Sequence, residues 1–124
     1  MTLNRHFLLA LLLCLWSSLA SADIFRPAYL EMTELDEGRY AVLWRVPMLP
    51  DQRRPGARLH WPDGTRPVAE VLATRAGDSW EERYTLATET GLVDREARIE
   101  GPLGGATDVI VRIQRGDGTT QLER

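Results

Sequence analysis

Beyond its first 22 residues, this 124-residue chain has few side chains whose types and spacing could do chemistry. His60 opens the run His60-Trp61-Pro62-Asp63-Gly64. A general base at His60 would have Asp63 within loop reach as the carboxylate that orients the imidazole. Glu31, Glu34, Asp36 and Glu37 crowd one short stretch, and converging carboxylates are what a hard cation such as Ca²⁺ requires. Their spacing matches no EF-hand loop, and acids grouped about a turn ordinarily face water. Trp61, directly before a Pro-Asp-Gly turn, is the tryptophan best placed to stack on a carbohydrate ring, although core packing is the default for strand tryptophans. Gln52-Arg53-Arg54 with Arg58 forms a basic stretch that could steer an anionic partner or a lipid headgroup. No Ser-His-Asp order, His-x-x-x-His spacing, Gly-rich phosphate loop or cysteine zinc pattern accompanies them. Residue chemistry therefore argues against a self-contained enzyme and implies no cofactor.

Strands must position these groups. Past Asp23 no window sustains apolar residues at i, i+3, i+4 and i+7, whereas alternation with period two recurs. The pattern predicts strands over Ala28 to Glu34 and Arg39 to Val46, joined by the turn Leu35-Asp36-Glu37-Gly38. In the second strand Tyr40, Val42, Trp44 and Val46 share one face and Ala41, Leu43 and Arg45 the other, so both faces are partly apolar, as in a central strand. Pro47 to Gly56 reads as an exposed connection. Ala57 to Trp61 and Val68 to Thr74 read as a hairpin around Pro62-Asp63-Gly64, since Pro presets φ and Gly accepts positive φ. Ser79 to Ala87, Arg95 to Glu100, Thr107 to Arg115 and Thr119 to Glu123 complete the set. Seven to eight short strands at hairpin spacing predict an all-β fold, an antiparallel β-sandwich of immunoglobulin-like size. A small barrel is the alternative.

The first 22 residues are a different object. Arg5 is their only charge, Phe7 to Trp16 is unbroken apolar sequence, and Ala20-Ser21-Ala22 offers small residues before Asp23. That is the three-part form of a secretory signal peptide, and its apolar run is about half of the roughly 20 residues that cross a bilayer. The expectation is a cleaved signal over 1–22 and an exported domain over 23–124, periplasmic in a Gram-negative cell or else extracellular. That domain has no transmembrane helix. It keeps 14 Arg, 18 acidic residues, one His and neither Lys nor Cys. A net charge of −4 excludes a generic nucleic-acid binder, and the lack of cysteine excludes a disulfide scaffold.

Phe25-Arg26-Pro27-Ala28-Tyr29-Leu30-Glu31-Met32-Thr33-Glu34 and Gly38-Arg39-Tyr40-Ala41-Val42-Leu43-Trp44-Arg45-Val46-Pro47 resemble the opening of the extracytoplasmic N-terminal domain of HupE/UreJ-type bacterial membrane proteins. Trp80-Glu81-Glu82-Arg83-Tyr84, Ile99-Glu100-Gly101-Pro102-Leu103 and Thr107-Asp108-Val109-Ile110-Val111-Arg112-Ile113 resemble its later strands, so the similarity runs along most of the chain after residue 22. The resemblance implies a domain that precedes a polytopic membrane region associated with nickel or cobalt uptake for hydrogenase and urease maturation. The His/Asp metal motif of such proteins lies in membrane helices, which these 124 residues do not include, so transport itself does not carry over. Where similar chains often place a histidine near the cleavage point, this one has Asp23-Ile24-Phe25. The expectation is a non-enzymatic accessory or interaction domain whose partner is an envelope membrane protein. The alternative is a small-ligand module for a divalent cation or a carbohydrate.

Overall fold

Alternation is what builds the sheet. In the computed structural model, which describes residues 4–17, 26–106 and 108–124, strand β1 (Ala28–Asp36) buries Ala28, Leu30 and Met32, and β2 (Arg39–Pro47) buries Val42, Trp44 and Val46. Their antiparallel register sets Leu30 opposite Trp44 and Met32 opposite Val42, so a single face collects both sets. The remaining strands are β3 (Arg58–His60), β4 (Thr65–Pro67), β5 (Ala73–Ala76), β6 (Ser79–Thr88), β7 (Arg98–Glu100), β8 (Val109–Gln114) and β9 (Thr120–Glu123). A seven-stranded sheet runs β4-β6-β2-β1-β8-β9, with β5 also pairing β6, and β3 pairs β7 in a second, two-stranded sheet.

The fold is all-β and consistent with a sandwich. The inner face of the large sheet adds Leu86, Tyr84 and Trp80 from β6 and Val109, Val111 and Ile113 from β8. Leu59 and Ile99 from the small sheet, with Trp61, Leu92 and Leu103 from the connections, pack against that core. The loops meet closely enough to require glycine. A Cβ on Gly101 would lie 2.7 Å from the Gly56 carbonyl oxygen, and Gly101 takes φ +96°.

Three expectations need correction. The large sheet is mixed, because β1 and β8 run parallel, Leu30 beside Val111. Alternation constrains which face a residue takes but not strand direction, and the chain reaches β8 only after passing through β7 in the other layer. The turn at Pro62-Asp63-Gly64 forms, with Thr65 N donating to Pro62 O at 3.1 Å and Gly64 at φ +79°. It closes no hairpin, however; it hands the chain from β3 in the small sheet to β4 at the edge of the large one. The strand expected over Val68 to Thr74 is replaced by the short β4 and β5, with Val68 and Leu72 exposed between them.

Helix α1 (Arg5–Ser17) packs on none of the strands among the described residues, and Phe7, Leu9 and Leu12 are exposed along it. No helix among the described residues is long and apolar enough to cross a membrane. The expected cleavage point between Ala22 and Asp23 lies outside the described residues.

Candidate functional site

The acidic group disperses. Glu31 and Glu34 are three apart on one strand, and an odd separation sends them to opposite faces. Glu31 stands on the outer face and accepts the Tyr29 hydroxyl at 2.7 Å, a bond that raises the Tyr29 pKa above its ordinary value. Glu34 accepts the Gly116 N–H at 3.1 Å, and Asp36 takes Arg39 through three contacts of 2.8–3.2 Å that hold its carboxyl below the usual range. Glu37 lies exposed in the turn. Among the described residues no three His, Cys, Asp or Glu side chains converge as metal ligands would.

The basic stretch is neutralised where it stands. Arg53 pairs with Asp51 on its own loop, and Arg54 pairs with Glu82 on β6. Burial, with Arg58 close by, pushes the Arg54 guanidinium below its ordinary pKa. Arg54 thus ties the loop between β2 and β3 to the large sheet.

His60, Trp61 and Asp63 do come together, in a groove of about 330 Å³ completed by Pro62, Arg95 and Arg98. Trp61 turns its edge inward, its Nε1–H donating to the Tyr84 hydroxyl at 3.0 Å while the ring packs against the core. Burial raises the Tyr84 pKa, and the Trp61 bond opposes that rise. Asp63 is not the orienting carboxylate for His60. The β3·β7 register places Arg98 opposite His60 and Glu100 one residue along, and His60 Nε2 lies 3.2 Å from Glu100 Oε2. Asp63 instead offers its main-chain oxygen to Arg95 Nη2 at 2.8 Å. The groove lining carries imidazole, guanidinium, carboxylate and indole but no hydroxyl or thiol nucleophile. What it suits is polar recognition beside an aromatic ring.

A second surface was not legible in the sequence. The outer face of the large sheet has no layer over it, and its charges are locked in cross-strand pairs. Glu81 on β6 accepts Arg45 Nε and Nη2 from β2 at 2.8 and 2.5 Å, with Arg83 Nε at 3.3 Å on its other oxygen. Only 7% of Glu81 remains exposed, so a residue expected on a solvated face is covered by arginine stems. Arg45 and Arg83 hold its carboxyl below the usual range, the Arg45 hydrogen bond contributing most. Tyr29, Leu43 and Ile110 lie half-buried on the same face, and Leu122 on the edge strand β9 is 69% exposed.

Comparison with protein-family models, with curated proteins and with solved structures gives no match to this chain.

Proposed function

We propose that the protein is a non-enzymatic, exported β-sandwich that serves as the interaction domain for an envelope membrane protein of HupE/UreJ type, linked to nickel or cobalt uptake. The observation that carries this reading is the uncovered outer face of the large sheet. There half-buried Tyr29, Leu43 and Ile110 sit among charges already held in pairs, with Leu122 standing free at the edge. An interface of that make-up, apolar at its centre and polar around it, is the ordinary anatomy of protein association. Export is supported by the signal-like segment and by an apolar helix that none of the strands covers.

The test is affinity capture from bacterial envelope membranes with the tagged protein, followed by identification of what is held. The expected result is a polytopic membrane protein that Leu122→Glu releases. Val93→Glu, at an 85% exposed position in the loop before β7, should retain it. Recovery of no membrane protein under mild detergent, or equal recovery by both variants, would overturn the proposal.

A second reading rests on the groove at Trp61, where an aromatic ring lies among Arg95, Arg98, His60 and Asp63. That combination is suited to a carbohydrate, which offers hydroxyls to the charged groups and a ring face to the indole. Titration calorimetry with envelope glycans separates this reading from the first.

A further inference from the structure

We propose that the cavity at the end of the large sheet nearest Asp78 binds a small carboxylic acid with an apolar body, its carboxylate held by Arg75. This site lies apart from the outer face and the His60 groove, and the proposal does not depend on the partner reading. The cavity has a volume of about 550 Å³, within the range of small-molecule sites, roughly 300–1,000 Å³. Met48, Leu49 and Pro50 form its apolar wall. Leu49 is pressed in place by the loop before β8, where a Cβ on Gly104 would come within 2.8 Å of Leu49 Cδ2.

Two arginines reach the cavity, and they are not equivalent. Arg26 is committed to Asp78, with Nη2 at 2.8 Å from its main-chain oxygen and 3.3 Å from its carboxylate. Arg75 donates Nη2 to the neutral Gln52 Oε1 at 3.2 Å, and no carboxylate among the described residues pairs with it. The lining is left with one positive charge in excess, the match for a monoanion. A phosphate dianion would set its second charge against Asp78.

Gln52 shows how Arg75 is held. It takes φ +66°, the left-handed region that a residue with a Cβ enters only when its surroundings compensate. The compensation is double. Its carbonyl accepts the Trp80 indole N–H at 3.3 Å, and its side-chain oxygen accepts Arg75. One arm of the guanidinium is fixed on a neutral acceptor, which leaves its other N–H groups for a carboxylate in the two-point geometry that arginine favours.

Titration calorimetry of the purified protein with hexanoate tests the proposal, with hexylammonium and inorganic phosphate as comparison probes. The expected result is hexanoate binding with a Kd on the order of 1 mM or tighter and no binding of the other two. Arg75→Gln should weaken hexanoate about tenfold or more. Gln52→Glu, which hands Arg75 an internal carboxylate, should do the same without removing the arginine. Arg66→Gln, whose arginine faces Glu89 at the far end of β6, should bind as the wild type does. Silence with hexanoate up to about 10 mM, equal binding of hexylammonium, or unchanged affinity in both Arg75→Gln and Gln52→Glu would overturn it.

Discussion

Trp44 and Trp61 invite a comparison in which the more buried ring should be the cheaper one to trim. Trp44 is 1% exposed at the centre of the core, and its Nε1 has no hydrogen-bond acceptor in the protein. Trp61 is only half-buried, but its Nε1 donates to Tyr84. Replacing Trp44 by Phe gives up roughly 40 Å² of buried apolar area, about 1 kcal/mol. The space left, roughly 40 Å³, costs about another 1 kcal/mol. Against this, the substitution removes a buried donor without a partner, which is worth about 1–3 kcal/mol. The two sides nearly cancel, so Trp44→Phe should change stability by less than about 1 kcal/mol. Trp61→Phe has no such compensation: it loses a hydrogen bond of about 1 kcal/mol and leaves the Tyr84 hydroxyl short of a donor, for a total of about 1–2 kcal/mol. Urea unfolding followed by far-ultraviolet circular dichroism reads both variants without using tryptophan emission as the probe. A cost above about 2 kcal/mol for Trp44→Phe, or a cost greater than that of Trp61→Phe, would refute the reasoning and mean that Trp44 Nε1 is donating to an acceptor.

Leu86, fully buried between Tyr40 and Pro67 in the sheet register, should cost about 3 kcal/mol on truncation to Ala, seen as a lower urea midpoint at unchanged slope. Arg45 holds the Glu81 carboxyl below its ordinary pKa, so its stabilisation is complete above the unfolded value of about 4.3 and is lost as pH falls through the lower folded value. Glu81→Gln should therefore flatten the acid limb of the stability profile and cost about 1 kcal/mol at neutral pH. The figure is modest because the Arg45 and Arg83 side chains stay 41% and 66% exposed; parallel profiles for the two proteins would remove the linkage. Gly101→Ala should lower the melting temperature more than Gly77→Ala. Both positions take positive φ, but only at Gly101 does the new Cβ strike backbone, the Gly56 oxygen at 2.7 Å, whereas Gly77 has open space around it.

The inner face of the large sheet was readable because Val42, Trp44 and Val46 alternate over a long strand, and Ala28, Leu30 and Met32 answer them. The direction of β8 was not readable, since Val109, Val111 and Ile113 fall on the same face whichever way the strand runs. β4 was missed for a different reason: Thr65-Arg66-Pro67 is short and carries a proline, which local pattern assigns to a turn, while Val68 and Leu72 look like core residues and are exposed. At the groove, the association of His60, Trp61 and Asp63 follows from adjacency in sequence. Glu100, Arg95 and Arg98 come from a segment more than 30 residues away, so His60's partner could be found only once the β3·β7 register was known. One signal in the sequence went unused. The odd spacing of Glu31 and Glu34 on a strand already divides the acidic group between two faces.

The distribution of charge pairs bears on what kind of surface the large sheet offers. A half-open sheet is expected to alternate apolar inward and polar outward, and freely solvated outer charges would have to be ordered on binding at a cost in side-chain entropy. On this face much of that ordering is already present. Arg45 and Arg83 converge on Glu81, and the Tyr29 hydroxyl is fixed on Glu31, so these side chains lose less freedom when a partner arrives. The groove at Trp61 differs, because its indole N–H is spent on Tyr84 and Arg95 is spent on a main-chain oxygen. A ligand there would meet mainly Arg98 and the His60–Glu100 pair. Preorganisation over several adjacent strands favours a macromolecular partner on the outer face over a small ligand in the groove. It also makes Leu122, exposed at the rim and outside every charge pair, the position where one added carboxylate should disturb association with least disturbance to the fold.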